Sequence, residues 1–158
     1  MNETDSKVTI REMLQNDVAS VLRIGAESQL TDWSAAAYAS ELTMPNSIAL
    51  VAVARVEVIG FIIARRAGSV IEILNIAVLS AWRRQKIGRE LLRRVLQREQ
   101  NAGALECWLE VRESNAAAQQ FYLAEKFKIV GERAGYYSNP PEKAILMALE
   151  LENFSLSK

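Results

Sequence analysis

Apolar and polar residues change period several times along this chain, and each change predicts an element. Val8 to Arg11 alternate as a first strand, and Asp17 to Glu27 carry Val18, Val21, Leu22 and Ile24 on one helical stripe. Ser34 is placed to cap an alanine-rich helix running to Leu42, and Pro45-Asn46 is a break. Ile48 to Ala54 and Val58 to Arg65 are β-branched runs separated by Arg55-Val56-Glu57, the pattern of a hairpin. Val70 to Leu79 reads as a further strand. Lys86 to Asn101 reads as a helix with Ile87, Leu91, Leu92, Val95 and Leu96 inward and Gly103 as its left-handed cap.

From Leu105 to Val111 the period returns to two, with Leu105, Cys107, Leu109 and Val111 alternating against Glu106, Trp108 and Glu110. A helix follows, opened by Ser114 and Asn115. Phe127 to Glu132 and Ala144 to Leu151 predict two closing strands around a loop holding Tyr136, Tyr137, Pro140 and Pro141. This order predicts a mixed α/β fold. With no repeat, low-complexity tract or linker, residues 1–158 are expected to form a single domain.

Composition narrows the chemistry. Half the residues are hydrophobic and 24% are charged, which is globular and not disordered. Nineteen basic and nineteen acidic residues cancel, which argues against wholesale nucleic-acid binding. The chain has no histidine, so Ser-His-Asp and Cys-His arrangements and His-ligated zinc are excluded, and acid–base work falls to Glu, Asp, Tyr, Lys or Cys. No metal is expected. Cys107 is the one cysteine and cannot form an internal disulfide, which fits a reducing compartment. The polar start MNETDSKVTI is not a signal peptide, and no apolar run reaches the ~18 residues of a membrane span. A soluble, cytoplasmic protein without membrane partners is expected.

Two segments carry candidate chemistry. In ECWLEVRESNAAAQQFY, Glu106 to Tyr122, a carboxylate ends a strand, and Asn115 and Tyr122 stand seven residues apart, two helical turns. An acceptor on the strand and a donor on the helix suit proton removal at one point and delivery at another. On spacing alone, a solvated strand-end glutamate and a half-packed tyrosine beside Phe121 are the favoured account. The second segment is SAWRRQKIGRELL, Ser80 to Leu92, a turn feeding a helix start. Such a turn gathers N–H groups and the positive end of the helix dipole, favouring phosphate. Arg83, Arg84, Lys86 and Arg89 add charge, although four bases near a helix start by themselves favour a plain solvated face. Neither a dinucleotide fingerprint nor a P-loop is present.

WLEVRESNAAA followed by FY, and NIAVLSAWRRQKIGRELL from Asn75 to Leu92, resemble the corresponding segments of the GNAT acetyltransferases, specifically the ribosomal-protein-alanine N-acetyltransferase family. The likeness extends to Trp33-Ser34, Tyr136-Tyr137 and ILMALEL near the C-terminus. The family's coenzyme signature is Gln or Arg, two residues, Gly, any residue, then Gly or Ala. Arg83 takes its first place and Gly88 its last, and Lys86 stands where the family has glycine. Lys126 likewise replaces the glycine of the family's Tyr-x-x-x-Gly-Phe pattern, a change expected to cost local stability more than chemistry.

The resemblance implies a GNAT fold, a central and mostly antiparallel twisted sheet of six to seven strands flanked by about four helices. It implies acetyl-CoA as co-substrate and direct attack of an amine on the thioester. It carries over Glu110 as general base and Tyr122 as general acid, with Tyr122 and Asn115 also contacting coenzyme A. Ile76, Ala77 and Val78 correspond to the strand edge that pairs with the pantetheine arm, one N–H polarising the thioester carbonyl. Arg83, Arg84, Gln85, Lys86, Ile87, Gly88 and Arg89 form the pyrophosphate turn, and Trp33, Tyr136 and Tyr137 resemble peptide-clamping elements.

The implied acceptor is a protein or peptide N-terminus, a ribosomal protein among the candidates. An α-amine, of pKa about 8 against about 10.4 for lysine, offers roughly 200-fold more free amine near neutrality. A GNAT acting on a small amine and a catalytically silent acyl-CoA-binding module are the alternatives.

Overall fold

In the computed structural model, which describes residues 7–28, 30, 32–138 and 140–152, seven strands and four helices follow one another. They are β1 (Val8–Glu12), α1 (Val18–Glu27), α2 (Ala35–Glu41), β2 (Ser47–Ala54), β3 (Glu57–Ala67), β4 (Val70–Val78), α3 (Ile87–Asn101), β5 (Glu106–Arg112), α4 (Ala116–Ala124), β6 (Lys128–Ser138) and β7 (Pro141–Glu150). Residues 1–6 of the polar stretch MNETDSKVTI lie outside the described ones.

The strands form one sheet of order β1-β2-β3-β4-β5-β7-β6. β1 with β2, β2 with β3, β5 with β7 and β6 with β7 are antiparallel, and β4 runs parallel to β5, Val70 to Ile73 opposite Glu106 to Leu109. The mixed α/β, mostly antiparallel sheet with four helices is the architecture the resemblance implies. Among the described residues, no helix is long and apolar enough to cross a membrane.

Two compact units share the chain, residues 7–65 with 75–95 and residues 66–74 with 96–152. In the first, β3 is buried without alternation from Val58 to Ala64, as expected of a strand covered on both faces. Phe61 meets Tyr38 of α2 edge-on at 5.6 Å, and Tyr38 meets Trp33 at 5.1 Å. Burial raises the Tyr38 pKa to about 12, while the Asn75 side-chain amide donates to its hydroxyl at 3.5 Å. Ser34 caps α2 as expected, its hydroxyl accepting from the Ala37 N–H at 3.1 Å. Arg11 grips the buried Asp17 with two bonds, at 2.7 and 3.0 Å, and the Leu14 N–H adds a third at 2.7 Å.

In the second unit, β5 keeps most of the alternation read from the sequence: Cys107, Leu109 and Val111 are buried, Glu106 and Trp108 are exposed and Glu110 is half-buried, while Leu105, expected on the apolar face, precedes the strand and is exposed. Gly103, at φ +99°, ends α3 as expected. Its N–H donates to Gln100 and that of Ala104 to Glu99, the paired bonds of a Schellman cap.

The closing hairpin departs from the expectation. Tyr136 and Tyr137 lie within β6, not in a loop, and Pro141 opens β7. Proline is tolerated at the first position of a strand, and β6 absorbs its excess length in irregularities of register. One falls between Ile129 and Gly131. The second falls between Arg133, opposite Ala144, and Tyr137, opposite Glu142, where four steps on β6 face two on β7. Gly135 supplies the φ of +63° there.

Candidate active site

The turn after β4 is built by cations in an unusual backbone. Arg84 and Lys86 have φ of +63° and +64°, the left-handed region, each with an exposed side chain, and Ile87 is the buried first residue of α3. The glycine missing at Lys86 is therefore missing at a position whose conformation favours glycine. Left-handed residues at alternate positions ahead of a helix start are a backbone form that can gather main-chain N–H groups for an anion, which suits a diphosphate. The donor set fits the group the resemblance implies: Arg84 and Lys86 supply charge, and α3 supplies its N-terminal N–H groups.

Arg83 is used differently. Its Nε donates to the Val78 carbonyl at 3.0 Å and its Nη2 to the Ser28 hydroxyl at 3.2 Å. The Glu27 carboxylate accepts from the Ser80 N–H at 2.7 Å, which draws its pKa below the ordinary value. Arg83 thus braces the end of β4 against the end of α1, next to half-buried Ile76 and Val78 and buried Ala77. Gln85 is exposed, Gly88 and Arg89 are half-buried in the first turn of α3, and Trp33 is half-buried against Tyr38.

In the second unit, Glu110 on β5 gathers a cluster that was not visible in the sequence. Arg133 Nη1 donates to Glu110 Oε1 at 2.9 Å. Hydrogen bonding to the Glu110 carboxylate, then burial, raises the Tyr136 pKa to about 12. Arg133 also lies over the Tyr136 ring, 5.1 Å from its centre, and Tyr136 meets Tyr137 edge-on at 4.9 Å. Arg112, Ala144 and Arg133 stand in one row across β5, β7 and β6, and Glu110 lies two residues along β5 in the row of Leu146 and Gly131, so the Arg133 side chain reaches it diagonally. Arg112 covers the Tyr137 ring at 4.1 Å and donates to Glu142 at 3.3 Å. Arg112 and Arg133 escaped sequence reading because the expected loop at Tyr136 hid their alignment; only the Arg133-x-x-Tyr136 spacing hinted at it.

Tyr122 has different neighbours. It is buried among Phe121 and Phe127, at 5.1 and 5.3 Å, and near Cys107. Burial, reinforced by Cys107, drives its pKa well above the ordinary phenol value, and burial likewise drives up the Cys107 thiol. Both remain protonated across neutral pH. Asn115 caps α4, its Oδ1 accepting from the Ala118 N–H at 3.0 Å, so its amide N–H groups point elsewhere. Lys126, at φ +75°, ends that helix with bonds from its own N–H to Leu123 and from the Phe127 N–H to Tyr122, the glycine-type cap made by a lysine. Among the described residues, no group of three or more Cys, Asp or Glu is placed to hold a metal ion.

The acetyltransferase (GNAT) family model matches residues 16–127. The [ribosomal protein bS18]-alanine N-acetyltransferase of Escherichia coli K12 is 40% identical over 81 residues, 50% of this chain and 55% of that protein. The chain thus spans about half the length of the curated relatives it matches. The crystal structure of the ribosomal-protein-S18-alanine N-acetyltransferase from Escherichia coli superposes with a TM-score of 0.83 at 28% identity, covering 95% of this chain and 100% of that one. Ard1 from Thermoplasma volcanium superposes with a TM-score of 0.84 at 30% identity, covering 90% and 97%.

Proposed function

The chain belongs to the acetyltransferase (GNAT) family, and on that premise we propose that it moves the acetyl group of acetyl-CoA to the N-terminal α-amine of a protein. A ribosomal protein of the bS18 kind, the substrate named for its relatives, is the leading acceptor. The observation that carries this reading is the placement of Glu110, a half-buried carboxylate set beside Tyr136 and the adjoining Tyr137. A single carboxylate suffices for an α-amine, whose pKa lies only about one unit above neutrality.

In this reading the turn from Arg84 to Arg89 holds the pyrophosphate, with Arg83 as its brace, and the edge of β4 at Ile76 to Val78 takes the pantetheine arm. A β4 N–H polarises the thioester carbonyl. Asn115 offers its side-chain amide to the coenzyme, and Trp33, Tyr136 and Tyr137 contact the peptide. Glu110 takes one proton from the substrate ammonium and passes it to solvent. The free amine attacks the carbonyl carbon, a C–N bond forms and the C–S bond breaks. The remaining proton released from nitrogen ends on sulfur. Tyr122 enters this step protonated. Full transfer to a thiolate, of ordinary pKa about 8.5, runs uphill from so weak an acid. Its first contribution is therefore a hydrogen bond to the charge developing on sulfur. The reading includes residues 1–158 as one catalytic domain in the cytoplasm, with no metal and no nucleic acid in the reaction.

The test is to offer the purified protein acetyl-CoA with peptides differing in their first residue, a lysine peptide with a blocked N-terminus, and free polyamines. Products are identified by mass spectrometry. Acetylation confined to free peptide N-termini supports the reading. Acetylation of small amines alone selects a different GNAT activity, and coenzyme binding without product selects a silent binding module.

A further inference from the structure

We propose that Arg133 gates the acceptor site: its guanidinium occupies, at Glu110, the place that a protonated substrate amine takes, and the substrate enters by displacing it. This rests on the reading of Glu110 as the residue that receives the amine. The exposures of the two partners say which one moves. The Glu110 side chain is 20% exposed and fixed in β5, whereas that of Arg133 is 56% exposed, on the edge strand β6. The guanidinium swings into solvent with little loss of packing, while the carboxylate stays. An ion pair this open to water contributes little net stability, so displacement costs little.

The local construction of β6 suits an exchange of cations. The register irregularity between Arg133 and Tyr137, with Gly135 left-handed inside it, brings Arg133 and Tyr136 to the same carboxylate. When Arg133 leaves, Tyr136 still stands beside Glu110. The Tyr136 ring, over which Arg133 lies at 5.1 Å, offers an ammonium the same electron-rich face. The subsite therefore selects for a positive charge. It binds the ammonium form before Glu110 removes the proton, and a neutral group at the peptide N-terminus gains nothing there.

The experiment measures binding of an alanine-initiated peptide to the full chain by calorimetry. Coenzyme A replaces acetyl-CoA so that no reaction occurs, and the pH is held below the amine pKa of about 8. The same peptide with an acetylated N-terminus is the neutral control. Arg133→Gln is expected to tighten the free-amine peptide by roughly three- to fivefold and leave the acetylated peptide unchanged, with Arg133→Lys resembling the unmodified protein. In a Glu110→Gln background the gain disappears. Unchanged or weakened binding of the free-amine peptide, an equal shift for both peptides, or a gain that persists without the Glu110 charge each overturns the gate. A parallel turnover assay of Glu110→Gln separates the two readings. Lost turnover with no gain from Arg133→Gln ends the gate alone, and full turnover ends the assignment of Glu110 and the gate with it. Circular dichroism confirms that each variant is folded.

Discussion

Tyr122 and Phe127 are joined twice, by a hydrogen bond from the Phe127 N–H to the Tyr122 carbonyl at 3.0 Å and by an edge-on ring contact at 5.3 Å. Between them Lys126 holds a φ of +75°, so the segment that buries the candidate acid closes through a conformation unfavourable to lysine. Relief of left-handed strain, of about 1–2 kcal/mol, exceeds the added unfolded-state entropy of glycine, of about 0.5–1 kcal/mol. Lys126→Gly is expected to stabilise the protein by about 1 kcal/mol in denaturant unfolding, with no loss of turnover. Lys126→Ala keeps the strain and is expected to be nearly neutral.

Lys86 poses the same conflict where ligand binding is also at stake. Its φ of +64° makes Lys86→Gly a stabilising change of about 1 kcal/mol, and the main-chain N–H is kept. Coenzyme A affinity is then expected to fall by less than about tenfold, the contribution of one exposed ammonium to a phosphate. Lys86→Ala removes the ammonium but retains the backbone conformation, so comparing both variants by calorimetry separates charge from strain. A loss of a hundredfold or more in both would make the lysine side chain a principal phosphate ligand.

What was legible in the sequence followed from period and caps. The β5 alternation around Cys107, Leu109 and Val111, the inward stripe of α3, the Ser34 cap and the Gly103 cap all depend on residues within a few positions of one another. What escaped depends on register between distant strands. Prolines and paired tyrosines near residue 140 read as a loop, and only pairing with β7 shows that β6 continues to Ser138. Arg133 and Glu110, 23 residues apart, meet across an intervening strand, a relation that no local pattern encodes. The left-handed conformation of Arg84 was likewise hidden, because arginine does not announce a positive φ as glycine does, whereas at Lys86 the family's glycine hinted at it.

Asp17 sets an acid limit on the fold. Hydrogen bonds from Arg11 hold its carboxyl below the ordinary value, opposing burial, and the Leu14 N–H adds to the effect. A carboxylate whose folded pKa is depressed contributes stability that is present above its unfolded pKa, about 3.9, and is lost as pH falls through the folded value. Thermal unfolding followed from pH 6 downward is therefore expected to show a steeper loss below about pH 4 in the unmodified chain than in Asp17→Asn. At neutral pH that variant is expected to be less stable by about 2 kcal/mol, since Arg11 keeps only part of its partner. Parallel acid profiles for the two proteins would remove Asp17 from this role.

Glu110 and Tyr122 are expected to fail in distinguishable ways. If Glu110 removes the proton, Glu110→Gln lowers turnover by roughly 10²- to 10⁴-fold while coenzyme affinity stays nearly constant. That deficit shrinks as pH rises toward the amine pKa, because free amine then forms without help. Tyr122 contributes at the leaving group. Tyr122→Phe keeps the ring packing against Phe121 and Phe127, so the fold is expected to survive the loss of the hydroxyl. Its defect depends on the thiol expelled: an acyl donor with a more acidic thiol needs less stabilisation and partly rescues the variant, whereas Glu110→Gln gains nothing from the same donor. A pH-dependent, donor-independent defect at Glu110 and a donor-dependent, pH-insensitive one at Tyr122 would divide the two halves of the transfer between these residues. Turnover within twofold of the unmodified protein in both variants, with chemistry rate-limiting, would return both side chains to purely structural roles.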